Sequence, residues 1–98
     1  MKINFSIVVP FYNEEENIAL FFDELIKIIF NINKLHNFEI ICINDGSKDK
    51  TNIFLNEYKK KYDFIKVFDL LNNKGQSNAI YYGIQNAKYE NIITIDGD

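Results

Sequence analysis

The stretch Phe38-Glu39-Ile40-Ile41-Cys42-Ile43-Asn44-Asp45-Gly46-Ser47 decides the fold. It opens as a short apolar run, the pattern of a strand buried on both faces. The run passes without a spacer into Asn-Asp-Gly-Ser, which is turn chemistry. A buried strand that stops at a polar turn, with a helical pattern after it, is the repeating unit of a parallel sheet with crossover helices.

The same unit recurs on either side. Phe5-Ser6-Ile7-Val8-Val9 reads as a strand that stops at Pro10. Asn13 is suited to cap the helix that follows, and Glu14, Glu15 and Glu16 suit its positive end. Ile18, Phe22, Leu25, Ile29 and Ile32 make that helix's apolar stripe, widened by Phe21, Ile28 and Leu35. A second helix is expected from near Asp49 to about Tyr62, with Phe54 or Leu55, Tyr58 and Tyr62 on its apolar side. Ile65–Leu70 reads as the third strand and Asn91–Ile95 as the fourth. Between them lies a helix over roughly Gln76 to Ala87, whose small residues Ala79, Gly83 and Ala87 allow close approach to a sheet.

The order β-α-β-α-β-α-β implies right-handed crossovers and a Rossmann-like, three-layer αβα arrangement with a mostly parallel four-stranded sheet. Open sheets of this kind bind ligands outside the carboxyl ends of their strands. The chemistry is therefore expected directly after each strand.

Composition narrows the function classes. The 98 residues suffice for one domain, and 47% hydrophobic with 15% aromatic content argues a packed core. A net charge of −3 disfavours a basic nucleic-acid footprint. Lys59-Lys60-Lys61, the densest basic run, reads as the solvated face of a helix. The single cysteine, Cys42, excludes an internal disulfide and reads as a buried small hydrophobe. His36, the lone histidine, is expected at the surface, away from every strand end. No apolar stretch approaches the roughly 18–20 residues of a membrane span, and the N-terminus lacks a signal-peptide core. The expectation is a cytoplasmic, soluble piece.

Each strand end carries chemistry. After the first come Pro10, Tyr12 and Glu14: a rigid exit, a flat face for a base or sugar, and a hydrogen-bond acceptor. After the second, Asp45 can accept a base N–H, while Ser47, Asp49 and Thr51 read as helix caps. After the third, Lys74 and Gly75 open a helix whose first N–H groups suit an anion such as a diphosphate. After the fourth, Asp96 and Asp98 are spaced to hold a hard cation, Mg²⁺ or Mn²⁺.

Taken together, Val8–Glu15, Ile43–Thr51, Asn73–Ala79 and Ile95–Asp98 resemble the N-terminal half of a family 2 glycosyltransferase with the GT-A, nucleotide-diphospho-sugar transferase fold. The Gly75–Ala79 stretch and the Asp96-Gly97-Asp98 ending look most like the dolichol-phosphate mannose synthase-like branch, which acts on polyprenyl phosphates. Asn44 stands where many members have Asp. The resemblance implies strand order 3-2-1-4. It implies that Pro10, Tyr12 and Glu14 line the nucleoside pocket, that Asp45 binds the base, and that Lys74 and Gly75 lie near the diphosphate. Asp96 would contact the ribose or the metal, and Asp98 the metal. Residues 1–98 would then be the nucleotide-sugar-binding N-terminal portion of a catalytic domain, binding UDP- or GDP-linked sugar but inactive alone. The catalytic base and the acceptor half, for a lipid or glycan acceptor, would lie later in the chain, in a parent enzyme at the cytoplasmic face of a membrane.

The competing reading is a receiver-type, Mg²⁺-binding signalling module. It expects acids after the first strand, where Pro10-Phe11-Tyr12 stands instead. A 3-2-1-4 sheet would also leave the apolar 91–95 strand at an edge, a template for self-association.

Overall fold

The computed structural model describes residues 3–32 and 36–95. Its elements run β1 (Asn4–Phe11), α1 (Ile18–Ile32), β2 (Asn37–Asp45), α2 (Thr51–Lys61), β3 (Ile65–Leu70), α3 (Gln76–Gln85) and β4 (Asn91–Thr94). The strands form one sheet in the order β3-β2-β1-β4, and every pairing is parallel.

The alternation of side chains along the strands builds the two faces. Phe5, Ile7, Val9 and Phe11 of β1 and Ile40 and Cys42 of β2 join Ile18, Phe22, Leu25, Ile26 and Ile29 of α1 and Leu55 of α2 in the larger core. Phe22 stacks on Tyr58 with centroids 4.4 Å apart, tying α1 to α2. The opposite face packs Val8, Ile41 and Ile43 against Ala79 of α3. At Gly83 an added Cβ would stand 2.4 Å from Val8 Cγ1, so only glycine lets α3 lie this close. Cys42 is buried in the core, and burial drives its thiol pKa upward, away from reactivity.

Four details depart from the sequence reading. First, β1 runs through Pro10, which lies opposite Ile43 in the β2 register. Backbone groups alternate in direction along a strand, and Val8 O accepts from Ile95 N on the β4 side. Pro10 shares that direction and lies beyond the last described β1–β4 pair, Val8↔Thr94, so none of the described pairs calls on its missing N–H. Second, Asn13 does not cap α1. It adopts φ 51°, and the helix begins at Ile18. Third, Ile26 rather than Ile28 widens the α1 stripe; Ile28 is exposed. Fourth, α3 ends at Gln85, and Ala87 packs from the connection that follows. Leu35 lies outside the described residues. His36 is half-buried, its Nδ1 accepting from Ile3 N at 3.2 Å.

The amino-terminal edge of the sheet carries a buried polar cluster. Glu39, only 3% exposed, accepts from Ser6 Oγ (2.7 Å), Lys66 Nζ (2.6 Å) and the Lys88 N–H (2.6 Å). Ser6 Oγ in turn accepts from Tyr89 N at 3.2 Å. Strand and connection are thereby joined under the α3–β4 link. Burial opposes ionisation of Glu39, but Lys66, Ser6 and the Lys88 N–H together hold its carboxyl below the ordinary value of 4.5. A depressed folded-state pKa gives stability that is present above pH 4.5 and is lost as pH falls through the lower folded value. Glu39→Gln is therefore expected to lower stability at neutral pH and to flatten the loss below pH 4.5, as read by urea unfolding at a series of pH values.

Candidate functional site at the carboxyl edge of the sheet

Because all pairings are parallel, β1, β2 and β3 deliver their following segments to one edge, the edge toward which β4 also runs. The turn after β2, residues 44–51, lies at the centre of that edge and bonds to the segments on both sides.

Toward β1, its side chains accept the backbone N–H groups of the β1–α1 loop. Asn13 N donates to Ser47 Oγ (2.9 Å), Glu14 N to Thr51 Oγ1 (2.9 Å) and Glu15 N to Asp49 Oδ2 (3.3 Å). Lys48 N returns a bond to Asn13 Oδ1 (2.8 Å), and Lys50 N one to Glu15 Oε2 (3.3 Å). These bonds explain the late start of α1: the N–H groups of 13–15 are spent across the loop. Only Asp49 also acts locally, accepting from Thr51 N at 2.9 Å at the start of α2. Burial works against its ionisation, but Thr51 and the Glu15 N–H outweigh it and lower the carboxyl pKa. Ser47 and Thr51 thus bridge loops, a role their reading as helix caps did not reveal.

Toward β3, Asp45 is 2% exposed. Its Oδ1 accepts from Lys74 N (2.7 Å), and its Oδ2 from Gly75 N (3.0 Å) and Asn73 Nδ2 (3.1 Å). Asn73 Nδ2 also reaches Asp45 O at 3.3 Å. Gly75 is the N-cap residue of α3 at φ 94°, with no side-chain cap hydrogen bond. The anion that the Lys74 and Gly75 N–H groups bind in this structure is therefore Asp45 itself. Gly46, at φ 70°, brings the two loops into contact: a Cβ there would stand 2.5 Å from Asn72 C and Asn73 N.

Between these loops opens a cleft of about 470 Å³ lined by residues including Tyr12, Asn44, Ser47, Lys48, Asn52, Asp69, Leu71 and Asn73. Tyr12 and the 97% exposed Leu71 give it apolar surfaces. Asn44 is buried at its base, donating to Asp69 Oδ1 (2.9 Å) and accepting from Ser47 N (3.2 Å). Of the residues singled out from sequence, Tyr12 lines the cleft. Pro10 is buried in the sheet behind it, and Glu14 is half-buried, its Oε2 accepting from Asn17 Nδ2 at 2.9 Å. Asp45, Lys74 and Gly75 meet one another behind the Asn73 wall. Asp96 and Asp98 lie outside the described residues. Among the described residues no group of three or more His, Cys, Asp or Glu could hold a metal ion. The resemblance places Asn44 in the nucleotide site; Asp69 and Asn73 went unread as site residues, although Asn73 stood beside the Lys74-Gly75 signal.

Residues 6–98 match the model of glycosyl transferase family 2, and the chain belongs to that family. It is 36% identical over 98 residues to the human dolichyl-phosphate beta-glucosyltransferase, covering 95% of this chain and 30% of that one. The structure of S. aureus TarS 1-349 in complex with UDP-GlcNAc superposes with a TM-score of 0.82 at 29% identity, over 98% of this chain and 27% of that one. A Pyrobaculum calidifontis mannosyltransferase in complex with GDP-Man and Mn²⁺ gives a TM-score of 0.84 at 18% identity, over 100% of this chain and 28% of that one, a likeness of fold. The chain spans about 30% of the length of the curated relatives it matches. Family and fold agree with the resemblance carried by the strand-end motifs and displace the receiver-type reading.

The contact at Gly46 can be checked directly. Gly46→Ala combines a positive φ with a Cβ driven into the Asn72–Asn73 backbone. It is expected to cost ~1–3 kcal/mol, measured by urea denaturation.

Proposed function

We propose that this chain binds the donor of a glycosyltransferase reaction, in which a glycosyl group passes from a nucleotide-diphosphate sugar to an acceptor hydroxyl or phosphate. The observation that carries the reading is the cleft at the carboxyl edge of β2 and β3, bounded by Tyr12 and by the loop that opens α3. In this reading Pro10, Tyr12 and Glu14 shape the nucleoside pocket, and Asp45 belongs to base recognition. Lys74 and Gly75 lie toward the diphosphate. Asp96 and Asp98, following β4, hold Mg²⁺ or Mn²⁺, the hard-cation chemistry of two closely spaced carboxylates. The cation supplies charge to stabilise the departing diphosphate. The acceptor half, and the base that a hydroxyl acceptor would need, belong to later sequence, so residues 1–98 are the donor-binding portion and do not turn over alone.

A polyprenyl phosphate is the acceptor we favour, supported by the human relative's printed activity on dolichyl phosphate. Such an acceptor would bring the parent enzyme to the cytoplasmic face of a membrane. No helix among the described residues is long and apolar enough to cross one, so attachment would rest on other segments.

Calorimetric titration with UDP and GDP, each with and without Mn²⁺, is expected to show saturable, Mn²⁺-dependent heat for at least one nucleotide and no sugar transfer. No heat at millimolar nucleotide would sink the donor-binding reading. Transfer by the chain alone would sink the assignment of the base to later sequence.

The sheet edge supports a second proposal. Among the described residues β4 pairs only with β1, and Ile93 is exposed on it. Self-association through 91–95 is expected to appear as concentration-dependent mass in sedimentation, and Ile93→Lys to abolish it. A monomer at all concentrations would count against it.

A further inference from the structure

Asp45 was expected to touch the base directly. Its surroundings give it a different part. The carboxylate is buried, and its two oxygens receive the Lys74 N–H, the Gly75 N–H and the Asn73 side-chain amide. The first two bonds fasten the turn that enters α3: Gly75 is the N-cap residue and Lys74 precedes it, both ahead of the first helical residue Gln76. The third fixes an orientation. Asn73 Nδ2 faces two acceptors, Asp45 Oδ2 at 3.1 Å and Asp45 O at 3.3 Å. A flipped amide would set oxygen against both, so the network determines which end points where. Asn73 also lines the cleft, and among the described residues its Oδ1 accepts no protein hydrogen bond.

We propose that Asp45 is a positioning residue that fastens the turn entering α3 and locks the Asn73 amide, making Asn73 Oδ1 the acceptor that the cleft offers to a ring N–H of the base. The proposal rests on the donor-nucleotide reading and adds a chemical preference to it. Uracil and guanine carry a ring N–H at the relevant edge. Cytosine and adenine carry a lone pair there and would meet the Asn73 oxygen with repulsion. Asp45 acts through Asn73, so removing either should erase the same preference.

The test uses wild type, Asp45→Asn, Asn73→Ala and the double variant, with two readouts. Amide hydrogen exchange without nucleotide reads the fastening of the turn. Asp45→Asn is expected to speed exchange of Lys74 and Gly75 by about tenfold or more while the β1 and β2 amides stay protected. Affinities for UDP, GDP, CDP and ADP with Mn²⁺ read the preference. Each single variant should shrink the UDP-to-CDP preference roughly fivefold or more, and the double variant should add less than about twofold to either. Unchanged exchange overturns the fastening of the turn by Asp45. Additive losses overturn the lock and give Asp45 a direct base contact, and equal weakening of all four nucleotides leaves it a merely structural part. Should Asp45→Asn fail to fold, Asn73→Ala alone must lose the preference for the proposal to stand. Wild-type protein that binds none of the four nucleotides overturns the donor reading and the preference with it, while the exchange data still judge the fastening of the turn.

Discussion

Backbone N–H groups at a packed sheet edge must find acceptors, and here the turn after β2 supplies them. Parallel strands bring several loops to one edge, and loops there cannot bond to one another as strands do. Ser47, Asp49 and Thr51 accept the N–H groups of residues 13–15, and Asp45 accepts those of 74 and 75. One turn thus sets the shape of the loops on both sides of the cleft. The glycine between them follows from the same constraint, since the Gly46 Cα lies against the Asn72–Asn73 backbone with no room for a side chain.

The two ends of the sheet divide the work. At the amino-terminal edge, Glu39 gathers Ser6, Lys66 and the Lys88 N–H into a closed cluster with its carboxylate almost wholly shielded. Satisfied networks of this kind rigidify what they join. Here they hold the α3–β4 link, from which β4 runs beside β1 toward the site edge. At the carboxyl edge, by contrast, the polar groups are only partly spent: Tyr12, Asp69 and Asn73 remain at the surface of an open cleft. That difference is what separates a brace from a binding site.

The strands were legible because short apolar runs ending in turn residues carry a local signal, as at Ile40–Ile43 before Asn44-Asp45-Gly46. The close approach of α3 was legible for the same reason, from Ala79 and Gly83 on one helical side. What escaped was every assignment decided by a distant partner. Asn13 and the glutamates after it look like a helix start, but their N–H groups bond to residues more than thirty positions away. Pro10 looks like the end of a strand, yet β1 continues through it, with Pro10 opposite Ile43 of β2. Asp45 reads as a free acceptor until Lys74 and Gly75 fold onto it.

Asn44 shows how such couplings constrain the sequence itself. Where the family pattern favours Asp, this chain has an amide whose Nδ2 donates to Asp69 Oδ1 at 2.9 Å. An Asp at 44 would set two carboxylates at that separation with one of them buried, and like charges so close cannot both stay ionised. The departure at 44 is therefore matched to the acid at 69, which sits directly opposite it in the β2–β3 register. The pair keeps a negative side chain at the cleft surface while sparing the buried end of β2 a second charge beside Asp45. The polarity of the cleft floor is thus fixed by a cross-strand pair, and neither residue's part can be assigned without the other.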